Sequence, residues 1–135
     1  MRTAVLISGR GSNMQALLDA AADPAFPAHV CHVISTDPDA PGLARAEKAG
    51  VPTQVIDHRE HAGREAFEAA LTAALEANEV ELVCLAGFMR LLTDSFVNRW
   101  YDRVINIHPS LLPSFRGLHT HERALETGVR IHGCT

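Results

Sequence analysis

An amide and an imidazole stand close together in the run Val104-Ile105-Asn106-Ile107-His108-Pro109. Side chains alternate along a strand, so a strand through this run projects Asn106 and His108 to the same face. Polar groups set among Val and Ile suit one chemical task. They can donate hydrogen bonds to an oxygen that turns negative in a tetrahedral intermediate, and an imidazole can move a proton near neutral pH. Pro109 breaks the strand and fixes the backbone just beyond. The plainer alternative, a hydrogen-bonded polar pair closing a strand end, stays open. Ser110 follows closely, but no G-x-S-x-G elbow surrounds it. Direct attack by a substrate amine on an acyl carbon therefore fits better than covalent catalysis.

A second group with chemical potential is Ser8-Gly9-Arg10-Gly11-Ser12-Asn13. It follows an apolar run and opens a helical pattern, so glycine lets the backbone approach a ligand and free helix amides face an anion. Ser12 and Asn13 can add donors or cap the helix. A dinucleotide fingerprint needs a third glycine, where this chain has Met14, and an acidic partner earlier than Asp37. No Gly-Lys-Ser/Thr follows, which excludes a Walker loop. A turn that holds one phosphate survives, beside a turn that binds nothing.

The elements that must position these groups alternate. Ala4 to Ile7 reads as a strand, Ser12 to Ala22 as a helix stopped at Asp23-Pro24, and His29 to Ile34 as a strand. Pro41 to Ala49 reads as a helix ending at Gly50, and Val51 to Ile56 as a strand. The spacing predicts a long helix over His61 to Asn78, with Phe67, Ala70, Leu71, Ala74 and Leu75 on one face. Leu82 to Ala86 is continuously apolar, as in a strand covered on both faces. Thr93 can cap a short helix toward Trp100, a strand spans Arg103 to Ile107, and a helix spans Thr120 to Glu126. The pattern predicts an α/β fold, a mainly parallel Rossmann-like sheet with helices on both faces. Residues 1–135 read as a single domain, and Arg130 to Thr135 looks like a strand just starting, so the sheet is expected to be incomplete at its C-terminal side.

Composition narrows the function. A net charge of -4 argues against a nucleic-acid partner gripped through phosphates. No stretch reaches the ~20 apolar residues of a spanning helix, and Ser8-Gly9 ends the first apolar run too early for a signal peptide. Cys31, Cys84 and Cys134 form no CxxC pair, so reduced thiols and a cytoplasmic location are expected.

Together VLISGRGSN (Val5 to Asn13), LAGFMRLL (Leu85 to Leu92) and INIHPSLLPSFRGLHTHERALETG (Ile105 to Gly128) resemble the folate-dependent formyltransferase family. His108-Pro109-Ser110 and the start at Met1 favour the branch that formylates glycinamide ribonucleotide in purine (IMP) biosynthesis. Methionyl-tRNA formyltransferases typically read His-Ala-Ser there, and formyltetrahydrofolate deformylases carry an extra N-terminal domain. The resemblance implies that Gly11, Ser12 and Asn13 hold the substrate phosphate and that Pro109 shapes the glycinamide pocket. Arg64, Met89, Arg90, Leu91, Leu92 and Asn106 would bind 10-formyltetrahydrofolate, the co-substrate, while Asn106 and His108 would be catalytic. Without the family, Phe88 and Met89 read as core residues at a strand-to-loop transition, and Arg64 as a solvated residue near a helix start.

The family also places an Asp, which favours the charged imidazole, shortly beyond this chain's last residue. The chain is therefore expected to be an N-terminal domain truncated relative to the family, and impaired or inactive by itself. His119-x-His121, with His108 and His132, could chelate a metal, but no carboxylate or thiol stands at ligand spacing and the resemblance implies no metal. Small-molecule substrates, no nucleic acid and no membrane are the expected partners, and a homodimer is open.

Overall fold

The computed structural model describes residues 1–135, which form two compact units, Met1–Ile105 and Asn106–Thr135. In chain order the elements are β1 (Arg2–Ile7), α1 (Ser12–Ala21), β2 (His29–Ser35), α2 (Gly42–Lys48), β3 (Thr53–Val55), α3 (Arg64–Ala77), β4 (Leu82–Leu85), α4 (Asp94–Arg99), β5 (Val104–Asn106) and α5 (Thr120–Thr127). The strands form one sheet in the order β3-β2-β1-β4-β5. β1 pairs in parallel with β2 and β4, and β2 with β3. The α/β fold, with its parallel sheet, is as the alternation predicts.

The first unit buries both faces of its sheet. Strand period places alternate residues of β1 in different cores. Ala4 and Leu6 join Phe67, Leu71 and Leu75 of α3, Phe96 of α4 and Trp100 at its end. Val5 and Ile7 join Met14 and Leu18 of α1 and Ala46 of α2. β4 divides likewise, Val83 to one side and Cys84 to the other, which is why its sequence is continuously apolar. Each fully buried Leu of α3 contributes about 1.5–3 kcal/mol, and that stripe is the one the helical period predicts. Burial also pushes the Cys84 thiol up, which keeps it unreactive. No helix is long and apolar enough to cross a membrane.

Several boundaries differ from expectation, each for a local reason. β3 does not start at Val51, because Pro52 has no N–H and the Val51 N–H donates to Ala46 O at 3.0 Å instead. α3 begins at Arg64 rather than His61, since Gly63 at φ 153° interrupts the chain. Ahead of it, His58–Glu60 form a single 3-10 turn capped by Asp57, whose carboxylate accepts from the Arg59 N–H at 2.9 Å. β5 stops at Asn106, short of the expected Ile107.

In the second unit, α5 ends at Gly128, whose positive φ of 76° lets its N–H reach Ala124 O and Leu125 O. Arg130 to Thr135 form no strand. Instead Thr135 and His108 exchange both backbone hydrogen bonds, at 2.7 and 2.9 Å. The Thr135 hydroxyl donates to Ser110 O at 2.8 Å and accepts from the Leu112 N–H at 2.9 Å.

A Cβ on Gly42, the first residue of α2, would stand 2.5 Å from Ile7 Cδ1 and 2.9 Å from Gly9 O. Ile7 is fully buried and cannot swing aside. Gly42→Ala is therefore expected to lose about 1–3 kcal/mol in urea unfolding, despite alanine's helix preference of ~1 kcal/mol. The Arg59 side chain, and then its backbone N–H, hold the Asp57 carboxyl at about 2. A depressed carboxyl stabilises the fold above its unfolded value of about 4, and that stability fades as pH falls toward the folded value. Asp57→Asn should thus melt below the parent protein at neutral pH, and the two melting curves should converge as the solution is acidified through that window.

Candidate functional site

Strand order reverses between β1 and β4, and open α/β sheets bind ligands where such a reversal opens a crevice at the strands' carboxyl ends. Ser8 to Gly11 leave β1 at this point, and Ala86 to Met89 leave β4. The loop after β4 thus follows an interior strand, between β1 and β5 in the order, in keeping with that strand's continuously apolar sequence.

Gly11 is the N-cap of α1 at φ 69°, a left-handed conformation that glycine adopts without strain. A Cβ there would also stand 3.0 Å from Gly42 Cα and 3.0 Å from Met14 Cε. Gly11 therefore serves packing as well as backbone approach, and Gly42 is a partner that the motif alone does not reveal. The expected capping by Ser12 or Asn13 is not made, because α1 has no side-chain cap. Both residues are exposed in the first turn, where backbone N–H groups lack intrahelical acceptors. Met14, in place of a third glycine, is fully buried beneath the turn.

The turn and the loop share one hydroxyl. Ser8 Oγ lies 2.8 Å from Thr36 Oγ1 and accepts from the Met89 N–H at 3.2 Å. Ser8 belongs to the turn that the sequence singles out, but its partners, far away along the chain, could not be read there. In the loop, Phe88 is buried as a core reading expects, but Met89 is 61% exposed and Leu91 81% exposed. Arg90 is exposed and Leu92 packs partly on the core. Arg64 is exposed as the first residue of α3 and shares a recess of about 480 Å³ with Thr93, just past the loop. A cavity of about 560 Å³ between α1 and α2 involves His29 and Val51 at the sheet's other end, away from these residues.

The second unit holds Asn106, His108 and Pro109. Asn106 ends β5 and is exposed. His108 lies outside the strand, so strand alternation does not set its direction; Thr135 takes its backbone groups, and Pro109 supplies no N–H to continue a ladder. Its ring is half-buried, with Nε2 3.4 Å from Phe115 O. Pro109 is exposed, and its carbonyl lies 3.2 Å from His132 Nε2. Ser110 is fully buried and donates to Ser114 O at 2.7 Å, a fold contact. His121 meets His132 edge to face at 5.4 Å. His119 Nδ1 sits 3.0 Å from the Glu122 carboxylate, an exposed pair at the start of α5. No group of three or more His, Cys, Asp or Glu side chains is arranged to hold a metal.

Comparison with known proteins places this geometry in context. The family described as formyl transferase matches residues 1–135. Phosphoribosylglycinamide formyltransferase of Escherichia coli (strain K12) is 44% identical over 98% of this chain and 63% of its own length. The human trifunctional purine biosynthetic protein adenosine-3 is 52% identical over 99% of this chain but only 13% of that protein. The crystal structure of glycinamide ribonucleotide transformylase 1 from Symbiobacterium toebii superposes with a TM-score of 0.95 at 48% identity, covering 100% of this chain and 64% of that one. The chain thus spans less than two thirds of the length of each of these relatives.

The Ser8 contact is open to direct measurement. Ser8→Ala removes one acceptor worth about 1 kcal/mol. Exchange at the Met89 amide should quicken about fivefold while amides inside β1 and β4 keep their protection. Unchanged exchange at Met89 would show that the hydroxyl does not hold the loop.

Proposed function

This chain belongs to the formyl transferase family, and from that premise we propose that it carries the transfer of a formyl group from 10-formyltetrahydrofolate to the amine of 5-phosphoribosylglycinamide, a step of purine (IMP) biosynthesis. The observation that supports this reading best is the crevice at the β1/β4 reversal, where a glycine turn and a largely exposed loop are joined through Ser8. A phosphate suits the first and a flat heterocycle the second.

In this reading the free amides of the first turn of α1, with Gly11, Ser12 and Asn13, hold the ribonucleotide's phosphate. Met89 to Leu92 bind the pterin through backbone groups, with Arg64, Arg90 and Asn106 completing the folate contacts. The neutral amine attacks the formyl carbon, forming the new C–N bond. Asn106 and His108 donate hydrogen bonds to the oxyanion as it develops. Collapse breaks the bond to the folate nitrogen, and His108 delivers a proton there while the amine loses one, so the proton count balances. Pro109 shapes the glycinamide pocket. The chemistry is acid–base and electrostatic throughout and assigns no step to a metal.

The substrates are small molecules, and the net charge of -4 is consistent with no nucleic-acid partner. A cytoplasmic setting is supported by three cysteines that are all free, two of them buried.

Formyl-folate consumption with and without glycinamide ribonucleotide tests the reaction. Strict dependence on the amine is expected, whereas consumption without it would indicate a hydrolase. Tight NAD(P) binding with none of a folate analogue would indicate a dinucleotide module. In the whole enzyme, Asn106→Ala and His108→Ala should each lower kcat by about 10²–10⁴ and leave affinity for glycinamide ribonucleotide nearly unchanged. Near-normal turnover in both variants would defeat the mechanism.

A further inference from the structure

A carboxylate that the proposed chemistry does not use lies beneath the loop. Glu68 is only 5% exposed, a costly place for an ionisable group unless its oxygens are satisfied. Both are engaged by a single residue: Oε1 accepts from the Thr93 N–H at 2.8 Å, and Oε2 from the Thr93 hydroxyl. The same Thr93 oxygen accepts from the Phe96 N–H at 3.3 Å, capping α4.

Thr93 directly follows Leu92, the last residue assigned to folate. The loop is therefore tied by polar contacts at both ends, to Ser8 through the Met89 N–H and to Glu68 through Thr93. Burial contributes at Phe88 and partly at Leu92, but between them Met89 and Leu91 are mostly in solvent, so the polar ties add order that packing does not supply there. On α3, Glu68 stands one turn beyond Arg64, on the same helix face. One buried carboxylate thus links the helix that presents Arg64 to the loop that presents its backbone.

We infer that Glu68 is a positioning residue for formyl-folate recognition: it fixes the loop Met89–Leu92 relative to Arg64 without touching the folate. This rests on the proposed function. The side chain's place is in the rigidity of the site, so its loss should weaken folate binding selectively.

The test uses the whole enzyme with Glu68→Ala, Glu68→Gln, Thr93→Val and Thr93→Ser, each checked for native melting. In Glu68→Ala the KM for 10-formyltetrahydrofolate and the Kd of a non-reactive deazafolate should both rise about tenfold, the effect of losing hydrogen bonds to a charged group. The KM for glycinamide ribonucleotide should stay within about twofold. Glu68→Gln and Thr93→Val should fall between, and Thr93→Ser, which keeps both donors, should restore parental values. Normal folate KM and Kd in folded Glu68→Ala would overturn the inference, as would an equal rise for both substrates. If Glu68→Ala fails to fold, Thr93→Val decides in the same way. A parent enzyme that consumes no formyl-folate would instead overturn the proposed function and this inference with it. A parent that does, beside variants binding deazafolate normally, would remove only the role of Glu68.

Discussion

A parallel sheet covered on both faces leaves its strand ends as the place where backbone groups remain free, and here the order of those strands reverses between β1 and β4. Chains leaving neighbouring strands at such a point diverge to opposite faces, one into α1 and the other toward α4, and a crevice opens between them. The glycine turn and the folate-assigned loop are the walls of that divergence. Their position is thus a consequence of sheet topology, and the hydrophobic cores on either face hold the topology in place.

Tight packing beneath the crevice restricts the residues at its floor. A side chain on Gly11 would crowd Gly42 and Met14, and one on Gly42 would strike Ile7 and the Gly9 carbonyl, so neither position has room for one. The glycines of the turn are therefore as much a packing requirement as a ligand requirement. Above this floor Met89 to Leu91 face solvent between the buried Phe88 and the partly packed Leu92, and Ser8 and Glu68 add directed hydrogen bonds to that anchoring. Directed bonds to backbone N–H groups suit a loop proposed to recognise its ligand through the same kind of group.

The second unit is organised differently. It has one helix, and Thr135 exchanges both backbone hydrogen bonds with His108 and engages Ser110 and Leu112 as well. The His108 ring itself is half-buried, with Nε2 3.4 Å from Phe115 O. His108 lies outside β5, so strand alternation does not set the direction of its side chain.

Much of the fold was legible in the order of residues. Apolar period distinguished α3, with Phe67, Leu71 and Leu75 on one stripe, from β4, whose unbroken apolar run marks a strand buried on both sides. Thr93 could be recognised as a cap, and the glycine turn, the loop and the Asn106–His108 pair could be singled out as chemical groups, since these signals are local. Tertiary structure alone decided that Gly42 packs on Ile7 beside Gly11, that Ser8 joins the turn to Met89, that Glu68 is buried against Thr93, and that Thr135 pairs with the backbone of His108. Each is a contact between residues distant in the chain, and no periodicity or local propensity records which distant polar groups satisfy one another.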